Sequence, residues 1–125
     1  MSRKIIEGNG WRLGWNPAAD SFCGLLAGQG WAVELTAEEF KDLCRLARQL
    51  DSTMNAMAEQ LVDEERLSCE QETETLWLEA EGFPACYGLR FILSTGRKFE
   101  GEWPADVVPQ LINALGQPPF FDLSF

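Results

Sequence analysis

Apolar and polar residues alternate with a period of two in two separate stretches of the chain, and each stretch ends in a run with helical spacing. In the first stretch, Lys4-Ile5-Ile6 predicts a strand and Gly8-Asn9-Gly10 a turn, after which Trp11, Leu13 and Trp15 alternate with Arg12 and Gly14. A loop over 16–20 leads to a short apolar strand from Phe22 to Ala27. Gly28-Gln29-Gly30 then turns the chain into a return strand, in which Trp31, Val33 and Leu35 share one face. Thr36-Ala37-Glu38-Glu39 has the form of a capping box, with the hydroxyl able to accept from the Glu39 amide and the carboxylate able to reach back. The helix it opens carries Phe40, Leu43, Cys44, Ala47, Leu50, Met54, Met57 and Leu61 on one stripe. It is expected to run to about Val62, through the potential break at Asp51-Ser52-Thr53.

The second stretch repeats the order. Leu67, Cys69, Gln71 and Thr73 alternate with Ser68, Glu70, Glu72 and Glu74, and Leu76, Leu78 and Ala80 alternate with Trp77, Glu79 and Glu81. Gly82-Phe83-Pro84 predicts a turn, Tyr87 to Leu93 a third strand, and Ser94-Thr95-Gly96-Arg97 another turn. Lys98 to Trp103 forms the fourth strand, with Phe99, Gly101 and Trp103 on one face. Pro104 suits a first helical residue, Val107, Val108, Leu111, Ala114 and Leu115 follow at helical spacing, and Gly116 with Pro118 ends the run. Four strands and a helix, twice over, with every strand joined to the next by a short turn, predict an α+β fold. It has two antiparallel sheets and two helices in a pseudo-duplicated ββββα–ββββα order. One domain is expected over residues 1–125, with a first unit about 3–64, a second about 65–116 and an apolar tail over 117–125.

Charge and composition narrow the chemistry more than they define it. Twenty acidic residues against 10 basic ones give a net charge of −10, a field that repels phosphate backbones and anionic lipid and favours a basic partner. There is no histidine, which removes imidazole ligands and every His-based catalytic pair. The four cysteines, Cys23, Cys44, Cys69 and Cys86, lie far apart without a CxxC pair, so they read as small apolar residues. The apolar runs are too short to span a bilayer, and the first ten residues lack the apolar core of a signal peptide. A cytoplasmic protein without a membrane segment, cofactor or metal is therefore expected.

Three segments together, GNGWRLGW (8–15), GQGWAVELTAEEF (28–40) and GRKFEGEWP (96–104), resemble a family of short acidic proteins of unknown function from cyanobacteria. The resemblance spans nearly the whole chain. It implies a fold grouped with the Whirly-type single-stranded-DNA-binding transcriptional regulators, and it brings no assigned activity and no functional residues.

The candidate surfaces follow from these readings. If single-stranded nucleic acid lay across a sheet, Trp11, Trp15 and Trp31 would be the stacking residues, with Arg12, Arg90, Arg97 and Lys98 on the phosphates. The opposing reading has those tryptophans in the core. Trp77 is the exception, since it shares a strand face with Glu79 and Glu81 and would be a lone recognition aromatic if exposed. Lys41, Arg45 and Arg48 make a basic row on the first helix, offset by Glu38 and Asp42. Asp63, Glu64, Glu65, Glu70, Glu72 and Glu74 read as a solvated face, spaced too widely to share one cation. In the tail, Phe120, Phe121, Leu123 and Phe125 are costly to leave in water. They are expected to cover their own domain or to insert into a neighbouring copy or another protein. No P-loop, GxSxG or dinucleotide fingerprint is present, so an enzyme is the least expected class. The leading expectation is a non-catalytic protein-interaction or regulatory module that binds another protein or a second copy. The alternative is a single-stranded nucleic-acid-binding regulator.

Overall fold

Two glycines and a tryptophan set the geometry of both hairpins in the first half. The computed structural model describes residues 3–60 and 65–124, and in it β1 (Lys4–Gly8) returns as β2 (Trp11–Trp15), while β3 (Gly24–Gly28) returns as β4 (Trp31–Leu35). Gly10 and Gly30 close the two turns at φ 87 and 86, a backbone region that disfavours other side chains. Gly8 and Gly28 stand opposite Trp11 and Trp31, and each indole folds over its glycine so closely that a Cβ there would lie 2.3 and 2.5 Å from ring atoms. The repeated Gly-x-Gly-Trp pattern is therefore a hairpin device: one glycine turns the chain and the other makes room for the ring.

The first sheet runs β1-β2-β3-β4 and the second runs β5-β6-β7-β8, all antiparallel. The second comprises β5 (Leu67–Glu72), β6 (Leu76–Phe83), β7 (Cys86–Leu93) and β8 (Glu100–Trp103). With α1 (Ala37–Gln60) and α2 (Val108–Leu115), the expected ββββα–ββββα order and α+β class are observed. A 3₁₀ turn follows over Phe121–Ser124.

The capping box forms as expected, with Thr36 N donating to Glu39 Oε1 at 2.9 Å and Glu39 N donating to Thr36 Oγ1 at 3.2 Å. The helix passes through Asp51-Ser52-Thr53 unbroken, because Thr53 Oγ1 donates back to the Gln49 carbonyl at 3.0 Å rather than competing for a turn. Its expected end at Val62, and Leu61 with it, lie outside the described residues. The stripe of Phe40, Leu43, Cys44, Ala47, Leu50 and Met54 is buried. It packs against β5 and β6 of the second sheet as well as β3 and β4 of the first, so α1 lies across both.

Four boundaries differ from the sequence reading, each for a local reason. Phe22 and Cys23 belong to the loop and not to β3, because Asn16 N donates to the Cys23 carbonyl at 2.8 Å and closes that loop. The β6–β7 turn falls at Pro84-Ala85, since Gly82 and Phe83 still pair with Tyr87 and Cys86. Strand β8 begins at Glu100, because Lys98 has a φ of 52 that cannot continue a strand. Pro104 does not open α2. Its carbonyl accepts from Val107 and Val108, and the helix begins late enough for Pro109 to fall in the first turn, where a missing N–H and a bulky ring are harmless. At the far end Gly116 stays right-handed, at φ −83, and its N–H bonds to the Ile112 and Asn113 carbonyls.

The sheets meet along an aromatic seam. Trp103 Nε1 donates to the Ala27 carbonyl at 3.0 Å, and Trp31 Nε1 donates to the Glu102 carbonyl at 3.2 Å, so each sheet lends an indole to the other's backbone. Phe91 and Phe99 complete the cluster, with Phe91 stacked 5.6 Å from Trp103 and Trp31 5.7 Å from Phe99.

Asp42 on α1 ties the helix to the β5–β6 turn, accepting from Thr75 Oγ1 at 2.6 Å and Thr73 Oγ1 at 2.8 Å, with Arg45 beside it at 3.2 Å. Partial burial pushes its carboxyl upward, but the hydrogen bonds from Thr75, Thr73 and Arg45 and the Arg45 charge outweigh this and hold it below the ordinary 3.8. A depressed folded-state value means stability present above pH 3.8 and lost as the pH falls through the folded value. The Asp42→Asn variant should therefore lose less stability than the parent on acidification below that point, measured by urea midpoints across the acid range.

Candidate interaction surface

Pairing fixes which residues share each face of the first sheet. Leu13, Leu26 and Leu35 point toward the core, while Ile5, Glu7, Arg12, Gly14, Leu25, Ala27, Ala32 and Glu34 stand on the opposite face. No helix covers this outward face among the described residues. A hollow of about 510 Å³ opens there, lined by Ile5, Gly14, Phe22, Leu25 and Ala32, with Arg3 and Glu34 among its charged residues. Its floor is open because Gly14 lacks a side chain: a Cβ there would stand 3.1 Å from Leu25 and 3.5 Å from Ile5. Ile5 is 44% exposed and Phe22 41%, the two most exposed large apolar residues among those described. Sequence reading missed this patch. The doublet Ile5-Ile6 and the run Leu25-Leu26-Ala27 were the available signals, since each places apolar residues on both faces of a strand.

The outward face of the second sheet differs in character. Glu70, Glu79, Arg90 and Glu102 form one cross-strand row, and Glu72, Trp77, Ile92 and Glu100 form the next. Trp77 is half-buried beneath the Arg90 guanidinium, which sits 4.9 Å from the ring centroid and 3.5 Å from Glu79. Six carboxylates surround this one tryptophan once Glu81 is counted, so the face presents negative charge around a capped ring.

The residues proposed for nucleic acid are not brought together. Trp15 is in the core, stacked 5.5 Å from Phe40, and Trp31 lies in the seam. Trp11 is half-buried with its indole N–H bonded to Gln110 Oε1 at 3.0 Å. Arg12 pairs with Glu7 at 3.0 Å on the first sheet, while Arg90 is on the second. Arg97 pairs with Glu39, donates to the Glu34 carbonyl and covers Phe22 at 5.0 Å. Lys98 is exposed beside it in the β7–β8 connection. The cations therefore occupy three separate places, and Arg12, Arg90 and Arg97 each have a carboxylate partner.

The tail docks on its own chain. Phe120, proposed as a contact for a partner, is fully buried 6.0 Å from Phe40 and is withdrawn from any surface, because the 3₁₀ turn lays it against α1. Phe121 is 37% exposed with the Arg48 guanidinium 4.5 Å above its ring. Leu123 is half-buried against the core, and Phe125 lies outside the described residues. Among the basic row, Arg45 is paired with Asp42 and Arg48 serves the tail.

Buried polar chemistry elsewhere is structural in form. Tyr87 donates to Asp51, and burial, that hydrogen bond and the Asp51 charge all push its hydroxyl upward, keeping it neutral. Burial likewise pushes the Cys44 thiol up. The four cysteines are free thiols. No helix among the described residues is long and apolar enough to cross a membrane.

The sequence profile of a domain of unknown function, DUF1818, matches residues 6–117. Among solved structures, a protein of unknown function from the DUF155 family of Prochlorococcus sp. NATL2A is similar, with a TM-score of 0.85 and 31% identity over 91% of this chain and 96% of that one. No curated protein matches the sequence.

Proposed function

The chain belongs to the DUF1818 family, a domain of unknown function, and on that premise we propose that it is a non-catalytic, intracellular protein-interaction module. Its contact surface is the outward face of the first sheet. The observation that carries the reading is the uncovered apolar hollow around Gly14, bounded by the exposed Ile5 and Phe22. Apolar surface of this kind, rimmed by charge, is what a partner side chain fills when two surfaces dock. The absence of histidine from the sequence supports a binding role over catalysis.

The second reading, a single-stranded nucleic-acid-binding regulator, rests on the Whirly-type fold that the sequence resemblance implies. Against it stand the net charge of −10 and the dispersal of Arg12, Arg90 and Arg97. Base-stacking platforms need a cationic groove beside them, because phosphate contacts supply most of the affinity.

One pair of experiments separates the two. A labelled single-stranded oligonucleotide at low salt is expected not to bind. A protein captured from the source cells by the parent chain is expected to be lost with Phe22→Ser and Ala32→Lys, two substitutions at exposed positions of the hollow. Salt-sensitive oligonucleotide binding would hand the function to the second reading, and capture unchanged by both substitutions would remove the hollow as the contact.

A further inference from the structure

Strand β1 is an edge of the first sheet, hydrogen-bonded only to β2 among the described residues. An open edge presents unpaired backbone donors and acceptors, and proteins usually blunt it with proline, a bulge or charged side chains, lysine above all. Lys4–Gly8 has no proline, and its five residues pair with Trp11–Trp15 without interruption, so β1 has no bulge; its one lysine, Lys4, stands at the end of the strand on the face opposite Ile5. What it has instead is an ordered pattern. Arg3, Ile5 and Glu7 follow one another on the outward face as basic, apolar and acidic.

That pattern is complementary to itself in reverse. Laid antiparallel against a second β1 with Ile5 opposite Ile5, each Arg3 falls opposite the other chain's Glu7. The two-fold axis then passes through the sheet at Ile5. Positions 3, 5 and 7 share parity, so all six side chains emerge on one side, and the two apolar hollows become neighbours on one continuous eight-stranded sheet. The most exposed apolar residue on the strand becomes the centre of the contact, and at each end Arg3 meets the Glu7 carboxylate, which Arg12 of the same chain already contacts at 3.0 Å from its other side.

The other edges do not offer this. On β5 the outward face reads Ser68, Glu70, Glu72, so reversed self-pairing sets carboxylate against carboxylate. On β8 it reads Glu100, Glu102. Strand β4 is already engaged by the second sheet, where Arg97 donates to the Glu34 carbonyl and Trp31 Nε1 to that of Glu102.

We infer that β1 is a homodimerisation edge, and that its occupant is the β1 strand of a second copy in the register that pairs Arg3 with Glu7. This goes beyond the proposed binding of another protein. Phe22 and Ala32 lie off β1, so loss of the partner and loss of the dimer are separately measurable.

The test is a charge exchange read by sedimentation equilibrium at physiological salt, where the repulsion between two acidic chains is screened. The parent chain should dimerise in the micromolar to submillimolar range. Arg3→Glu alone makes both ends of the strand acidic, and Glu7→Arg alone makes both basic, so each should weaken self-association by about tenfold or more. Mixing the two variants should restore a heterodimer close to parental affinity, since every end then meets its opposite. Both positions are exposed, and thermal melts of each variant verify folding. As a second measurement, amides of Arg3–Glu7 in the parent should gain hydrogen-exchange protection as concentration rises. A parent that stays monomeric, variants that dimerise as the parent does, or a mixture that fails to recover would each overturn the assignment.

Discussion

Replacing Trp103 with alanine is expected to cost about 3–5 kcal/mol of folding stability, the range for emptying a buried large aromatic site. Trp103 is 1% exposed, stacks on Phe91 at 5.6 Å, and lies 5.2 Å from Trp31. Its loss removes apolar contact from both sheets at once and leaves the Ala27 carbonyl without its indole donor. Trp103→Phe separates the two contributions. The ring contact is largely kept and one hydrogen bond to the carbonyl is lost, so a loss of about 1 kcal/mol from that bond is expected, beyond the smaller ring. Urea titration measures both, and an unchanged slope would show that midpoint shifts report stability rather than a changed unfolded state. A Trp103→Ala loss below 1 kcal/mol would mean that the seam contributes little to the fold.

Glu39→Ala should be of similar size, about 3–5 kcal/mol, for a different reason. Glu39 is 2% exposed and holds three elements together. Its carboxylate accepts from the Thr36 amide at the start of α1, from Thr95 Oγ1 at 2.9 Å and from the Arg97 guanidinium in the β7–β8 connection. Removing it takes away the reciprocal half of the capping box, leaving the Thr36 amide without its acceptor while Thr36 Oγ1 still caps the helix, and leaves the Arg97 charge partly buried without its partner. Glu39→Gln keeps the reach of the capping box but not the ion pair, so it should fall between the parent and Glu39→Ala. Circular dichroism during urea unfolding checks the order. Equal losses for the two variants would show that the charge carries the whole effect, and a Glu39→Gln variant as stable as the parent would show that it contributes nothing.

How the sequence led to these residues is uneven, and the reasons are physical. Local rules carried the elements: the capping box at Thr36 and Glu39, the Gly-x-Gly-Trp hairpins and the alternation of β6 and β7 depend on neighbours a few residues away. Where a distant contact decides, local reading fails. Phe22 opens an apolar run that reads as a strand, yet the loop closed by Asn16 turns it outward. Pro104 looks like a helix start, but the real constraint is Pro109 five residues on. Trp11 was a stacking candidate until Gln110, ninety-nine positions away, accepted its indole N–H. The hollow was invisible for a related reason. Leu25 and Leu26 point to opposite faces, and nothing nearby in the chain reveals that one face has no helix over it among the described residues. Charge was the most misleading property. Counted along the chain, Arg12, Arg90 and Arg97 could have formed a groove, but each is neutralised by a carboxylate brought in by pairing or packing.

The seam also sets an order of events. Its hydrogen bonds join residues 76 and 71 positions apart, whereas both sheets are meanders of consecutive hairpins. Contacts so distant require long loops to close before they contribute anything, so the hairpins are expected to form early and the seam last. On the ribosome, the first sheet and α1 emerge with the apolar surface that Trp103 and Phe91 will later cover still facing water. For that interval the half-made chain is the form most exposed to aggregation, until the final third of the sequence arrives to shield it.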